Sequence, residues 1–274
     1  MAGARPYHAP VRLIDSHCHV NADRFDGDVE LVLGGARLAG VERILVPGWN
    51  VASSERALGL VDRFGWLDAA VGVHPHDAAK VDAGAWTGIV AWADDPRVVA
   101  IGETGLDYDR VFSPIEDQLA NLRRNLALSA QTGKPAILQC RSAPGRRDAQ
   151  DALLAEVRAF GADPPRVVIH SYSGPIDYAE AALELGATVS FSGLVFRAGE
   201  EASAAVAGLV PAERLLVETD SPFLAPVPHR GRPCEPAFVA DTAAFAAELR
   251  GEAPEVLAEA TTANFFRLFN RAAA

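Results

Sequence analysis

Two imidazoles stand two residues apart in Asp15-Ser16-His17-Cys18-His19, directly after the apolar run Val11 to Ile14. On a β-strand, residues i and i+2 point to the same face, so His17 and His19 can converge on one metal ion from the end of a buried strand. Such a pair lacks the carboxylates that would complete a divalent-ion site. Alone, an H-x-H is equally consistent with two incidental histidines or a polar strand end.

The elements that must position such ligands can be read from periodicity. Apolar or β-branched runs at 12–15, 43–46, 67–73, 98–102, 135–139, 167–170, 188–191 and 215–218 read as strands. Between them, helical periodicity appears near 28–39, 52–63, 84–93, 115–132, 148–160, 176–185, 200–208 and 236–249, with a last stretch over 254–270. Eight such units in 274 residues favour an α/β fold of the closed (β/α)8 kind, a TIM barrel, over an open doubly wound sheet. No G-x-G-x-x-G follows the first strand and no G-x-x-x-x-G-K-[ST] occurs, so nucleotide-binding loops are absent. Without a repeat or composition break, residues 11–272 read as one domain behind a loosely held tail, 1–10.

Composition narrows the setting. An apolar fraction of 49% suits a compact core, and no run reaches the ~18 apolar residues of a membrane span. Residues 1–10 lack the apolar stretch of a signal peptide, and the three cysteines, Cys18, Cys140 and Cys234, form no C-x-x-C. Both features point to a reducing, cytoplasmic location. A net charge of −11 counts against a generic nucleic-acid coat, although it leaves room for a local basic rim.

A barrel places its chemistry at the C-terminal ends of its strands. Polar groups recur there: His17 and His19 after strand one, His74 after strand three, Glu103 and Asp107 after strand four, and Gln139 and Arg141 after strand five. His170 follows strand six, and Glu218 and Asp220 follow strand eight. For single residues, plainer readings compete. Glu103 could pair with an arginine such as Arg141, and His170 could be a satisfied core histidine at the end of Val167-Val168-Ile169.

Taken together, these segments resemble a known family. Asp15-Ser16-His17-Cys18-His19, Gly72-Val73-His74-Pro75, Gly102-Glu103-Thr104-Gly105-Leu106-Asp107, Lys134-Pro135, His170-Ser171-Tyr172-Ser173-Gly174, Glu218-Thr219-Asp220-Ser221-Pro222-Phe223-Leu224 and Arg230-Gly231-Arg232-Pro233 look like the successive signatures of TatD-type metal-dependent hydrolases. The closing Asn264-Phe265-Phe266-Arg267-Leu268-Phe269 resembles that family's C-terminal helix, so the likeness runs from about residue 12 to 270. It implies an amidohydrolase-type barrel, usually described as a metal-dependent deoxyribonuclease. One divalent ion would be held by His17, His19, Glu103 and Asp220. Glu103 would bridge to a second ion, held also by a histidine after strand five and by His170.

At strand five this chain departs from the pattern. Lys134-Pro135-Ala136-Ile137-Leu138-Gln139-Cys140-Arg141 carries Gln139 where the family has a histidine. An amide oxygen suits Mg²⁺ or Mn²⁺ better than Zn²⁺, so a weakened or altered second site is expected. Cys140 and Cys18 flank ligand positions, but alternation along a strand turns them to the opposite face. Cys234 stands where the family commonly has asparagine, which removes an amide near the site.

The implied chemistry is hydrolysis of a phosphodiester by a metal-activated water, at the end of a DNA strand, with single-stranded DNA or strand ends, or a small phosphoester, as the substrate. Asp220 would act as both ligand and proton acceptor, with Glu103 shared between one or two ions of Zn, Mg or Mn. Substrate contacts are expected from His74, Arg141, Arg230 and Arg232, with His229 close by; for Arg141, His229, Arg230 and Arg232 a solvated surface position is an equal reading. His74 has two other readings, a ligand-orienting role and a purely structural one before Pro75, and Asp107 reads as a brace for the Gly105-Leu106 loop. Two other readings stay open: an ester or amide hydrolase, such as a deacylase on aminoacyl-tRNA or on a small substrate, and a binding protein whose site Gln139 has impaired. Oligomeric state leaves no readable trace.

Overall fold

The structure, a computed structural model, describes residues 12–270. The tail 1–10, residue 11 and the last two residues of the expected domain, 271 and 272, lie outside the described residues. Eight strands are present: β1 Leu13–Asp15, β2 Val41–Pro47, β3 Leu67–Val71, β4 Val98–Asp107, β5 Ala136–Arg141, β6 Val167–Ile169, β7 Thr188–Phe191 and β8 Leu215–Val217. They alternate with α1 Val29–Leu38, α2 Val51–Arg63, α3 Ala83–Ala93, α4 Ile115–Thr132, α5 Asp148–Arg158, α6 Ile176–Glu184, α7 Glu201–Leu209, α8 Val239–Arg250 and α9 Pro254–Leu268.

Each strand pairs in parallel with the next in chain order, β1 through β8, which is the sheet of a TIM barrel. Alternation along the strands sorts their side chains into two layers. Ile14, Leu45, Ala70, Val99, Ile137, Val168 and Leu216 form one buried cluster, the barrel interior. Their chain neighbours Leu13, Ile44, Ala69, Val98, Ala136, Val167 and Leu215 pack outward among the helices. Both strand faces are therefore largely dry, which is why runs such as Val167–Ile169 and Leu215–Val217 are apolar without interruption, while the buried Asp68 of β3 is paired with Arg43 of β2.

Helix α9 closes the N-terminal end of the barrel. Phe265 and Phe266, with Phe269 just past its end, join the interior cluster. The Asn264 amide donates to the carbonyls of Leu215 (2.8 Å) and Ala212 (2.6 Å) where β8 begins. The opposite end is left for the loops that follow the strands. Among the described residues, no helix is long and apolar enough to cross a membrane.

Most boundaries shift by one or two residues from the sequence reading, and two shift by more. β4 continues past Gly102 to Asp107, because Thr104, Gly105, Leu106 and Asp107 keep pairing with Leu138, Gln139, Cys140 and Arg141 of β5. Gly105 makes this possible: at φ +134° it lies so close to β5 that a Cβ would come 1.9 Å from the Gln139 carbonyl oxygen. A residue that reads as a loop glycine is in fact a requirement of close strand packing. In the second case, α8 starts at Val239, after the short turn Pro236–Phe238, rather than at 236.

Candidate metal centre

The centre is built where the two ends of the sheet meet. Beyond the ends of β1 and β8, Ser16 N–H donates to the Val217 carbonyl (3.2 Å), Asp220 N–H to His17 (2.9 Å) and His19 N–H to Ser221 (2.8 Å). The buried Asp15 carboxyl group, pushed up to about 8 by burial against the Thr219 hydrogen bonds, accepts from Thr219 N–H (2.9 Å), from the Thr219 hydroxyl (2.5 Å) and from His17 N–H (3.3 Å). The segments that close the barrel are thus the ones that carry His17, His19 and Asp220. Asp220 sits at φ +55°, a left-handed conformation that costs a non-glycine residue and persists only when its surroundings hold it.

Four donor atoms converge there. The Nε2 atoms of His17 and His19 are 3.2 Å apart and lie 3.5 and 3.4 Å from Glu103 Oε2. Asp220 Oδ1 is 3.8 Å from His17 Nε2 and 3.3 Å from His19 Nε2. Ligand atoms around a four-coordinate ion with bonds of about 2.0–2.2 Å stand about 3.3–3.6 Å apart, so two imidazoles and two carboxylates at these separations fit a divalent ion. His17 is completely buried, His19 and Glu103 nearly so, and Asp220 is partly open to the cavity.

A second set of donors shares Glu103. His170 Nε2 lies 3.0 Å from Glu103 Oε1 and 2.9 Å from the Gln139 amide oxygen. Gln139 therefore reaches the place where the sequence comparison expects a histidine, and it offers oxygen there. The other nitrogen of His170, Nδ1, faces Glu218 Oε1 at 3.2 Å, while Glu218 Oε2 accepts from the Ser190 hydroxyl at 2.5 Å. His170 and His17 stack face to face, 4.0 Å between centroids. His74 Nδ1 accepts from the His76 N–H (3.1 Å), so its proton is on Nε2, 3.3 Å from Glu103 Oε1. His74 is thereby placed as a group that orients the shared carboxylate.

The electrostatics follow from burial and crowding. For Glu103 and Asp220, burial opposes ionisation but the surrounding histidines outweigh it, holding both below the ordinary carboxylate range. For His19, burial opposes the charge but Asp220 and Glu103 prevail, raising it to about 9. His170 is raised likewise, against burial, by Glu103 and Glu218. His17 is lowered, first by burial and then by the neighbouring His170. A divalent ion competes with protons for these nitrogens, so occupancy rises with pH. Among the described residues, the Nδ1 atoms of His17 and His19 have no hydrogen-bond partner.

The cysteines stand apart from this. Cys140 turns its thiol to Tyr178 of α6, and burial pushes it up to about 12. Burial raises the Cys18 thiol as well. No cysteine enters the ligand clusters found among the described residues. Cys234 is buried behind the site, its sulfur 3.9 Å from the Thr219 carbonyl oxygen.

The centre opens into a cavity of about 1410 Å³ at the C-terminal ends of the strands. His19, His74, Glu103, Gln139, His170 and Asp220 line it, together with Arg110, Arg141, Arg146, Arg147 and Arg197. Two of these arginines are committed elsewhere, Arg146 to Asp148 and Arg147 to Asp151 and Asp177. The side chains of Arg110, Arg141 and Arg197 make no hydrogen bond or ion pair among the described residues. Arg230 and Arg232, expected from sequence at this rim, do not line the cavity. Arg230 donates to the Phe196 carbonyl (2.7 Å), and Arg232 lies over the Phe238 ring (4.7 Å) beside His229, which itself pairs with Asp241. Sequence reading missed Arg110 and Arg197; the available signal was that each lies in a loop following a strand.

Asp107 braces a different segment from the one expected. It does not tie down Gly105-Leu106, which are part of β4; it accepts from Asp109 N–H (3.1 Å) and Arg110 N–H (2.9 Å) and meets His76 Nε2 at 2.9 Å. Burial opposes its charge, but His76, the Arg110 N–H and the nearby Arg141 guanidinium hold the carboxyl down to about 2. A carboxyl whose folded pKa lies below its unfolded value of ~3.9 stabilises the fold above that value and loses the contribution as pH falls toward 2. Between pH 5 and 2.5, Tm should therefore fall more steeply for the wild type than for Asp107→Asn in thermal melts. Parallel curves would refute this.

Comparison with known proteins agrees with the geometry. The family model described as TatD related DNase matches residues 14–270. An uncharacterised metal-dependent hydrolase of Bacillus subtilis, YabD, is 34% identical, covering 94% of this chain and 98% of that protein. A Klebsiella pneumoniae protein named 3'-5' ssDNA/RNA exonuclease TatD is also 34% identical, over 94% of this chain and 97% of its own length. The crystal structure of YjjV, a TatD homologue from Escherichia coli K12, superposes with a TM-score of 0.86 at 31% identity, covering 96% of this chain and 99% of that one. With its barrel, its ligand cluster and these relatives in agreement, the chain belongs to the TatD-related DNase family of metal-dependent hydrolases.

Proposed function

We propose that this hydrolase cleaves phosphodiesters at the ends of single-stranded nucleic acid. The observation that carries the reading is the placement of a divalent-ion ligand cluster and three uncommitted arginines, Arg110, Arg141 and Arg197, in one cavity. A divalent ion held by His17, His19, Glu103 and Asp220 would supply Lewis acidity, lowering the pKa of water and polarising a phosphoryl oxygen. Asp220, ionised and at the cavity wall, accepts the proton of the attacking water. Glu103 is shared with the second donor set, Gln139 and His170, and is fixed by His74. Arg141 and its two companions hold the phosphates, where forked guanidinium donors match phosphate oxygens. The Klebsiella relative's name, a 3'-5' exonuclease on ssDNA and RNA, supports the same substrate class. The three cysteines are free and buried, and we place the protein in the cytoplasm on that ground.

Gln139 makes the centre asymmetric. Two imidazoles in the first donor set suit zinc, whereas Gln139 and Glu103 give the second set an oxygen-rich character suited to Mg²⁺ or Mn²⁺. Elemental analysis after dialysis should find one tightly held ion per wild-type chain. In Gln139→His a second ion should be retained, with zinc affinity at that position raised about 10- to 100-fold, the size of effect seen when metal-site partners change. Two equally tight ions of one kind in the wild type would sink the asymmetry. Turnover of single-stranded DNA should exceed turnover of carboxylic ester substrates with each of Mg²⁺, Mn²⁺ and Zn²⁺; the reverse order would replace the phosphodiesterase reading with an esterase.

A further inference from the structure

We propose that Phe223 is the platform on which the terminal base of the nucleic acid stacks; this rests on the phosphodiesterase reading above. Phe223 is a large apolar residue left 59% exposed, and unlike an apolar side chain scattered on the outer surface it lines the catalytic cavity. Its ring stands 6.1 Å from the His19 ring, edge to face, and Trp49 approaches His19 at 5.1 Å in the same manner. A candidate metal ligand is therefore flanked by two aromatic rings, both of which line the cavity, with Phe223 the more exposed.

That presentation is held by the backbone. Phe223 N–H donates to the Asp220 carbonyl (2.9 Å), and the Pro222 carbonyl accepts from Cys234 N–H (3.0 Å). On the other side, Gly193 approaches so closely that a Cβ there would lie 1.8 Å from the Leu224 carbonyl oxygen. The segment cannot sink to bury its phenyl ring without displacing Gly193 or Asp220. A fixed, open aromatic face whose cavity also holds three uncommitted guanidiniums matches a single strand, whose bases have π-faces and whose backbone is anionic. A base inside a duplex has both faces covered, and the terminal pair is tied to its partner base and cannot splay alone into the cavity, so the arrangement favours a frayed or single-stranded end.

The test uses the metal-loaded protein and short single-stranded oligonucleotides carrying either a natural nucleotide or an abasic tetrahydrofuran residue at the terminus, with each end examined separately. Phe223→Ala should lower kcat/KM on the natural end roughly 5- to 150-fold, the range for loss of one base–aromatic stack, mainly through KM. It should leave the abasic end within about two-fold, and Phe223→Tyr should keep near-wild-type values on both. Equal losses on natural and abasic ends would show a purely structural role for Phe223 and overturn the platform while leaving the nuclease reading intact. If the wild type degrades neither substrate, the phosphodiesterase reading itself fails and the platform falls with it.

Discussion

Asp220→Asn should reduce kcat on single-stranded DNA by about 10²- to 10⁴-fold, the range for removing a positioned acid–base group, without unfolding the barrel. Asparagine keeps the volume and the backbone N–H that donates to the His17 carbonyl at 2.9 Å, so the seam between β8 and β1 stays closed. What it loses is the anionic oxygen 3.3 Å from His19 Nε2 and the capacity to take a proton. The loss should therefore fall on kcat, measured under single-turnover conditions, with thermal melts in chelator matching the wild type. Asp220 is also one of the four candidate donors, so the comparison is made at saturating metal, where a loss of affinity does not mask the loss of the proton acceptor. A kcat loss below ten-fold would take the proton-accepting role away from Asp220.

Asp15→Ala should cost roughly 2–4 kcal/mol, because it leaves the Thr219 N–H, the Thr219 hydroxyl and the His17 N–H without their acceptor in a fully buried place. For a chain of this size that corresponds to a fall in Tm of roughly 4–16 °C. Asp15→Asn keeps one acceptor oxygen and should lose about half as much. Differential scanning calorimetry in chelator isolates the effect on the apo fold. Activity per folded molecule should fall as well, since Thr219 and His17 adjoin Asp220 and His19. A Tm within 2 °C of wild type would mean that the closure rests on the backbone bonds alone.

How far the sequence could be read depended on the kind of signal. Strand runs such as Val167 to Ile169 are dry on both faces, so they announce themselves as unbroken apolar stretches, and the barrel follows from their number. Glu103, Gln139 and His170 could be placed because a residue that ends a parallel barrel strand has few places to point. The extension of β4 was hidden: Gly102 and Gly105 signal a break, and only the approach of the Gln139 carbonyl reveals that a side chain would not fit. Loop arginines were the least legible. Nothing in their spacing tells that Arg230 turns to the Phe196 carbonyl while Arg110 and Arg197 face the cavity, because that depends on the path of each loop through space. Glu218 was visible in Glu218-Thr219-Asp220, yet its partnership with His170 Nδ1 spans two strands and appears only on folding.

The seam at β8 and β1 divides the centre into parts of unequal tolerance. His17, His19 and Asp220 belong to backbone that must close a cylinder, so a change there that disturbs the main chain risks the whole molecule along with its chemistry. Gln139 hangs from β5, whose pairing with β4 and β6 is complete through the main chain whichever side chain it carries. Strand five is accordingly the position where such an enzyme can exchange one ligand for another and acquire a new metal appetite while its architecture stays out of reach of the change.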